Sequence, residues 1–402
     1  KIFYNIVGYN LDYARYLSAF FGILSILLSV KIAKLMNFNE IKNFLALLLA
    51  LNIFLISYSQ EGRVYSILFF FSFLSLIYFI KIFKINAKKK DILLFSIFTL
   101  IAIFLHPFAL IILFSYFTFL ILKYFRSKEI FKDINFSLIV VLIFSLLFYL
   151  YYFYSLDHTH SRHYWITNPD LGFYTNFFFS TFFGSRLMGI IFLLSIVILT
   201  IKEKKLFRGT DIVIVFFITI FLSYFLPIIF GYIYKPVLIS RYIIFVLIPI
   251  LVLITFLISR IINKKIKNFL IIILTIFTIF NHFTEQTFKQ LFNERVPSKP
   301  QYTKAISHIN DSKFHNYFIK VENMLSDADS IDAINNYISF INKNFPNKLT
   351  LLNKEEKEKI KEPFWHFCPQ DINKRECAPP EKFKIITEKD FNNINLKLLQ
   401  KT

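Results

Sequence analysis

Long apolar runs separated by short polar segments dominate the chain between residues 17 and 283. Each run approaches the roughly 20 residues that an α-helix needs to cross the hydrocarbon core of a bilayer. The runs are continuous rather than alternating, which argues against the strand pattern of a membrane β-barrel. We therefore predict an all-α polytopic membrane protein with about ten transmembrane helices. The predicted spans are 17–36, 41–58, 65–83, 91–105, 108–125, 134–154, 187–201, 211–231, 242–261 and 268–283.

The apolar stretch from 91 to 125 is too long for a single span. At about 1.5 Å per residue it would extend roughly 52 Å, against a core of roughly 30 Å. His106 and Pro107 lie in its middle, and proline ends or kinks a helix because it lacks a backbone N–H and clashes with the preceding turn. We predict that the chain folds back at these two residues.

The basic residues of this apolar part collect at alternate ends of the predicted spans. They form clusters within 31–42, 81–90, 123–132, 202–208 and 260–267. Because Lys and Arg are enriched in cytoplasmic loops, the clusters predict which ends face the cytoplasm. The net charge of +20 is then a topology signal, and no nucleic-acid partner is expected.

The composition changes near residue 284, which predicts two domains, 1–283 in the membrane and 284–402 outside it. The second has helical and strand-like runs and enough length for a small C-terminal α/β extracytoplasmic domain. Cys368 and Cys377 both lie there. Outside the cytoplasm they are candidates for a disulfide, and two unpaired thiols are the alternative. The strand-like runs are 317–321, 349–352 and 383–386, and the helical runs are 303–310 and 331–344.

Several polar groups lie on the predicted outer face. They are Glu61, Arg63, His106, the loop 157–165 and Arg241. Ionisable groups beside a bilayer are costly and usually face a cavity, so each is a candidate site residue. Their convergence on one face predicts that this face carries the function.

The chemistry of these side chains leaves alternatives open. Glu61 can act as a base, a metal ligand or an acceptor for a sugar hydroxyl, or it can form a surface ion pair with Arg63. Arg63 and Arg241 match the oxygens of a phosphate, or they extend to lipid headgroups. Tyr65 and Tyr242 are substrate-binding candidates or interfacial aromatic residues.

The histidines leave similar alternatives. His106 is a proton carrier or ligand, or a neutral hydrogen-bonding core residue. His158, His160 and His163 beside Asp157 resemble a loose metal cluster, with a solvated loop as the alternative. A divalent cation is therefore a candidate cofactor without an assigned ligand set. No glycine-rich nucleotide motif occurs among the 8 glycines, so no nucleotide cofactor is expected.

Short motifs along the chain resemble those of a known family in the same order. The chain resembles the membrane glycosyltransferases of the GT-C fold, in the branch related to protein mannosyltransferases and lipid A aminoarabinose transferases. The similarity covers roughly residues 1–260. The motifs are Gly8 to Ala19, Ser59 to Ser66 (compare Q-E-x-R-x-Y-S), His106-Pro107-Phe108, Tyr164-Trp165-Ile166 with Pro169, and Ser240-Arg241-Tyr242.

This resemblance implies an inverting transfer of a sugar from a polyprenyl-phosphate donor to a lipid, glycan or protein acceptor. The reaction would take place at the periplasmic face of a bacterial inner membrane. Arginines or a divalent cation would stabilise the departing lipid phosphate. For such a reaction we predict catalytic roles for Glu61 and His106, which would support the acceptor or a metal ion. We predict substrate binding by Arg63, Tyr65, His163, Trp165, Arg241 and Tyr242.

The expected catalytic aspartate of this family lies in an acidic first outer loop. That loop and the span before it would precede Lys1, and Asp12 lies too close to the next span to replace it. We therefore expect the base to lie outside this chain.

Two other functions compete with sugar transfer. One is an O-antigen polymerase or ligase, which also relies on outer-loop arginines. The other is a lipid-linked oligosaccharide flippase or other transporter without enzymatic activity. A transporter predicts internal symmetry and sites near the membrane midplane, whereas the charges of this chain lie at one face and no repeat is apparent.

Overall fold

A computed structural model gives the fold of two compact units. It describes residues 11–84, 88–128, 132–155, 185–202, 212–234, 236–280, 282, 302–314, 318–321, 338–339, 342, 349–350, 363–369, 383–391 and 394–402. The first unit contains the described residues up to His282, and the second contains those from Tyr302 onward.

The first unit consists of helices. They are α1 (Leu11–Leu35), α2 (Lys42–Ala50), α3 (Ile53–Gln60), α4 (Tyr65–Lys84), α5 (Lys89–Leu105), α6 (Leu110–Ser127), α7 (Lys132–Ser155), α8 (Arg186–Lys202), α9 (Ile212–Ile233), α10 (Leu247–Ser259) and α11 (Lys264–Phe280). Short 3₁₀ segments precede three of them, at Asn39–Ile41, Pro107–Ala109 and Ser240–Val246.

Helices account for most of the described residues in each of the ten predicted spans, but fewer than ten helices are long and apolar enough to cross a membrane. Among the described residues, six helices are long and apolar enough, and a seventh span results if α2 and α3 count as one. Helices α5, α8 and α11 have 17 residues each, or about 26 Å, slightly less than a core of roughly 30 Å.

The predicted span 41–58 is two helices rather than one, with a bend of 57° between them. Asn52 causes the break, because its side chain accepts a hydrogen bond from the Leu55 N–H at 3.0 Å and caps α3. The Leu51 carbonyl, at the end of α2, lies 2.6 Å from Nε2 of His282. The Leu55 N–H and the Leu51 carbonyl, which lie on either side of the break, therefore both have polar partners.

Many buried hydroxyl groups in the apolar helices bond to their own helix. Each of these donates to the carbonyl four residues earlier, which satisfies it without a partner from another helix. The residues that do so include Ser25, Ser115, Ser145, Ser223, Thr255 and Thr278.

Helix α10 forms the centre of the first unit. Every residue from Leu247 to Ile258 is buried, as expected for a helix that is apolar on all sides. It packs against α2, α8, α9 and α11. The 3₁₀ segment Ser240–Val246 leads directly into α10, so this central helix fixes the position of Arg241 and Tyr242.

The chain folds back at His106 and Pro107, as the sequence predicts. Helix α5 ends at Leu105, and His106 has an extended conformation with φ −158° and ψ 131°. Its Nδ1 accepts a hydrogen bond from the Phe108 N–H at 3.3 Å, and Pro107 begins the 3₁₀ turn where a missing N–H costs little.

Among its described residues, the second unit packs α12 (Tyr302–Asp311) against a four-stranded sheet, and residues 338, 339 and 342 are also helical. The strands are β1 (Ile319–Val321), β2 (Phe364–Pro369), β3 (Phe383–Phe391) and β4 (Ile394–Lys401), in the order β1-β2-β4-β3. Strand β1 is parallel to β2, and the other pairs are antiparallel. Buried Ile306, Ile309, Trp365, Leu396 and Leu398 form its core.

The strand predictions for this unit are partly wrong. Strands β1 and β3 are confirmed, whereas β2 and β4 were missed. Leu349 and Thr350 are not in a strand, although the Thr350 carbonyl accepts a hydrogen bond from the Ile319 N–H at 2.8 Å. Cys368, in β2, is disulfide-bonded. Cys377 is the other cysteine of the sequence and lies outside the described residues.

Close packing of α1 against α3 predicts a specific sensitivity at Gly22. A Cβ atom there would lie 3.0 Å from Cβ of Ser59 and closer still to its hydroxyl. We expect Gly22→Ala to destabilise the protein by about 1–3 kcal/mol, measured as a lower melting temperature in detergent. Adding Ser59→Ala is expected to restore part of the loss.

Gly231 provides the matched control, because a Cβ there would lie at an ordinary 3.4 Å from Pro236 Cα. Equal effects of Gly22→Ala and Gly231→Ala would contradict this description of the α1–α3 contact.

Candidate functional site

The turn between α3 and α4 presents an acid and an arginine. The Arg63 N–H donates to the Glu61 carbonyl at 2.8 Å, which makes the turn tight. Nε of Arg63 lies 3.4 Å from Oε2 of Glu61, and the side chains are 45% and 30% exposed. The ion pair that the sequence offered as an alternative is therefore present, and both groups remain accessible to a ligand.

Two hydrogen bonds fasten this turn to α1. The Ser18 hydroxyl donates to the Arg63 carbonyl at 3.1 Å. The Ser66 hydroxyl, in the first turn of α4, donates to the Ser18 carbonyl at 2.7 Å. The bonds fix the backbone at Arg63 while its side chain stays exposed.

Three rings from three separate elements meet beside the turn. We call Tyr65, His106 and Tyr242 the ring cluster. The ring centroid of Tyr242 lies 4.5 Å from that of His106 and 6.4 Å from that of Tyr65, and the Tyr65 and His106 centroids are 6.0 Å apart. Such separations are typical of stabilising aromatic contacts. The cluster joins the start of α4, the α5–α6 fold-back and the segment before α10.

Arg241 adjoins the ring cluster and lies beside phenol groups. Its guanidinium interacts electrostatically with Tyr58 and Tyr242, and its Cζ lies 5.6 Å from the Tyr242 ring centroid. The Tyr58 ring in turn packs edge-on against Tyr65 at 5.2 Å. Phenol groups from α3, from α4 and from its own segment therefore lie close to Arg241.

Tyr58 is a site residue that the sequence analysis missed. It lies in α3, three residues before Glu61, and interacts electrostatically with Glu61, Arg63 and Arg241. The sequence contains one indication of this, because Tyr58 lies three residues before Glu61 and residues three apart share a helix face. An aromatic residue in an apolar run gives no other indication of its role.

His106 is neutral at physiological pH. Burial and the nearby charge of Arg241 lower its pKa to about 4. Because Nδ1 accepts a hydrogen bond from the Phe108 N–H, the neutral ring carries its proton on Nε2. His106 can therefore donate a hydrogen bond to a ligand through Nε2.

An apolar cavity lies next to the Glu61–Arg63 turn. It has a volume of about 250 Å³ and is lined mainly by apolar side chains of α1, α2, α3 and α4. Ser59, Gln60 and Ser66 line it as well, and these residues flank the turn in sequence. The cavity therefore offers an apolar volume beside the charged groups of the turn.

The structure brings six of the sequence-predicted residues into one region, namely Glu61, Arg63, Tyr65, His106, Arg241 and Tyr242. His163, Trp165 and the loop containing Asp157, His158 and His160 lie outside the described residues. Within the part of the chain that is described, no three His, Cys, Asp or Glu side chains are placed to hold a metal ion. The cation site thus stays a prediction.

Comparison with known proteins identifies the fold. No protein-family model matches the sequence, and no curated protein matches it. The structure is similar to the crystal structure of ArnT from Cupriavidus metallidurans in the apo state, with a TM-score of 0.60 and 9% sequence identity. The match covers 98% of this chain and 85% of that chain. The chain therefore has the fold of the GT-C membrane glycosyltransferases, as its sequence motifs predict.

Proposed function

We propose that this protein is an inverting glycosyltransferase that moves a sugar from a polyprenyl-phosphate donor to a lipid, glycan or protein acceptor. The main support for the proposal is that one end of a GT-C bundle brings together Arg63, Arg241, Glu61 and the ring cluster. A phosphate-matching pair of arginines, a carboxylate and aromatic faces are the groups that sugar transfer from a lipid phosphate requires.

Arg63 and Arg241 bind the phosphate of the donor in this proposal. Guanidinium groups match phosphate oxygens through paired hydrogen bonds. When the sugar departs, negative charge grows on the lipid phosphate, and donors already in position stabilise it most. Arg241 is suited to this role because its guanidinium packs over the Tyr242 ring, close to Tyr58.

The lipid chain of the donor has a place beside these arginines. The apolar cavity lies among α1, α2, α3 and α4, and one of its lining residues, Gln60, directly precedes the Glu61–Arg63 turn in sequence. An isoprenoid chain in the cavity would place its phosphate next to Arg63, and burial of apolar chain surface favours this arrangement.

Glu61 and His106 act on the sugar and the acceptor. The Glu61 side chain, 30% exposed, accepts a hydrogen bond from an acceptor hydroxyl. His106 donates a hydrogen bond from Nε2. Tyr242 offers a ring face to the sugar, and the buried Tyr65 ring supports Tyr242 from α4. We also assign His163 and Trp165 to substrate binding. If a divalent cation takes part in the reaction, Glu61 would be one of its ligands and would act together with the positive charge of the ion.

We further propose that the site faces the periplasm from a bacterial inner membrane. The site lies at the ends of α3 and α4 opposite the basic ends of α1, α4 and α6, which the positive-inside rule assigns to the cytoplasm. The disulfide-bonded Cys368 supports a periplasmic C-terminal unit, since disulfides persist in oxidising compartments.

Removal of the Arg241 guanidinium tests the proposal. In full-length protein reconstituted in vesicles, Arg241→Gln is expected to lower the rate of sugar transfer from a polyprenyl-phosphate donor by about 10²-fold or more, because one positioned donor to the leaving group is lost. The measurement is the transfer of radiolabelled sugar to a lipid or glycan acceptor.

Arg126→Gln is the matched control, because Arg126 lies in the last turn of α6 at the basic end of the bundle. Its transfer rate is expected to equal that of the wild type. Undiminished transfer in a folded Arg241→Gln variant would refute the phosphate-binding role.

The neutral state of His106 predicts a pH effect on stability. The unfolded histidine binds a proton below about pH 6.5, whereas the folded one does so only near pH 4. Between these values the unfolded state holds more protons, so stability falls as the pH falls. His106→Asn retains an acceptor for the Phe108 N–H without titrating.

Between pH 7 and pH 5 we expect the melting temperature of the wild type to fall more than that of His106→Asn, by roughly 2 °C. Parallel melting temperatures over this range would show that His106 is not held in the neutral form.

A further inference from the structure

Helix α4 retains one partly exposed face between α1 and α5. This face runs from the first turn of α4 to its basic end, which is the end opposite the proposed active site. Ile67, Phe71, Tyr78 and Lys81 lie on this face and are half-buried. Their spacing of three, four and seven residues places them along one line of the helix. Because α1 and α5 both pack against α4, this line forms the floor of a furrow.

Aromatic rings from three helices line this furrow. The Phe71 centroid lies 5.7 Å from that of Phe21 in α1 and 6.0 Å from that of Phe98 in α5. The Phe98 and Tyr78 centroids are 5.4 Å apart. The rings form an apolar surface that is continuous from α1 across α4 to α5.

Two lysines close the furrow at its basic end. Nζ of Lys31 lies 4.5 Å from the Tyr78 ring centroid and 3.4 Å from the Tyr78 hydroxyl. Nζ of Lys81 lies 5.6 Å from the same centroid. Both ammonium groups therefore converge on one tyrosine.

The charge at this end is positive. Lys81 is paired at 2.6 Å with the buried carboxylate of Asp91, so these two charges offset each other. Lys31 is exposed, and within the described ranges no carboxylate lies at ion-pair distance from it. Lys31 thus adds an uncompensated positive charge beside the Tyr78 hydroxyl.

The length of the furrow fits one leaflet of a bilayer. Phe71 and Lys81 are ten residues apart on a single helix, or about 15 Å, which is half of a core of roughly 30 Å. We propose that this furrow binds one anionic glycerophospholipid. Its phosphate lies against Lys31 and the Tyr78 hydroxyl, and an acyl chain lies over Tyr78, Phe98, Phe71 and Phe21.

An anionic lipid fits this site better than a zwitterionic one. A zwitterionic headgroup would bring its own cation close to Lys31 and Lys81, whereas a phosphodiester with an uncharged headgroup offers negative charge alone. The proposal requires that the helices span a membrane, but it does not depend on sugar transfer, because the furrow shares no residue with the Glu61–Arg63 turn or the ring cluster.

Lipid titration of the full chain in detergent tests the proposal. Native mass spectrometry measures the dissociation constant for the first bound phosphatidylglycerol and for phosphatidylcholine with the same acyl chains. We expect phosphatidylglycerol to bind more tightly. Lys31→Gln is expected to weaken this binding about fivefold, which is the contribution of one lysine beside a lipid phosphate.

Two variants provide controls. Lys34→Gln removes the same charge from an exposed position one turn further along α1. We expect it to change the dissociation constant for phosphatidylglycerol less than twofold. Lys31→Arg retains the positive charge, and we expect wild-type binding. Equal effects of Lys31→Gln and Lys34→Gln, or equal affinities for the two lipids, would overturn the proposal, and so would failure of Lys31→Arg to bind phosphatidylglycerol.

Discussion

The contact among Tyr65, His106 and Tyr242 holds the candidate site together. Each ring comes from a different interruption between helices, so no single helix could form the cluster alone. Ring pairs of this kind contribute about 0.5–1.5 kcal/mol beyond burial. The contact sets the position of Tyr242, and Tyr242 helps to orient the neighbouring guanidinium of Arg241. If the rings separated, the arginines would lose their common position relative to the turn at Glu61.

The membrane environment explains why polar chemistry concentrates at this end. Within the apolar spans, many buried hydroxyl groups bond to their own helix carbonyls or to hydroxyl groups of neighbouring helices, which reduces the polar surface inside the bundle. Polar groups that must meet a substrate therefore lie where helices end. Central helix α10 makes this arrangement rigid, because its buried body fixes the segment that carries Arg241 and Tyr242. The α3–α4 turn gains the same rigidity from its two bonds to α1.

Local signals in the sequence predicted much of the fold and most of the described site. Pro107 marked the fold-back, because proline lacks the backbone N–H that a helix interior needs, although Pro227 and Pro249 lie within helices α9 and α10. Charged residues beside apolar runs identified Glu61, Arg63 and Arg241. Features that depend on distant partners were missed. The bend at Asn52 requires a cap and a contact from His282, Tyr58 gains its role only next to Arg241, and β2 becomes a strand by pairing with the distant β1 and β4.

The proposed function depends on a donor phosphate that binds between Arg63 and Arg241, next to the ring cluster. Its position can be observed in a cryo-electron microscopy structure of the full-length protein in a lipid nanodisc, with a polyprenyl phosphonate sugar that cannot be cleaved. We expect density for the phosphonate in contact with both guanidinium groups and for the lipid chain in the cavity among α1, α2, α3 and α4. Phosphonate density away from Arg63 and Arg241, with the sugar remote from Tyr65 and Tyr242, would refute the proposed function.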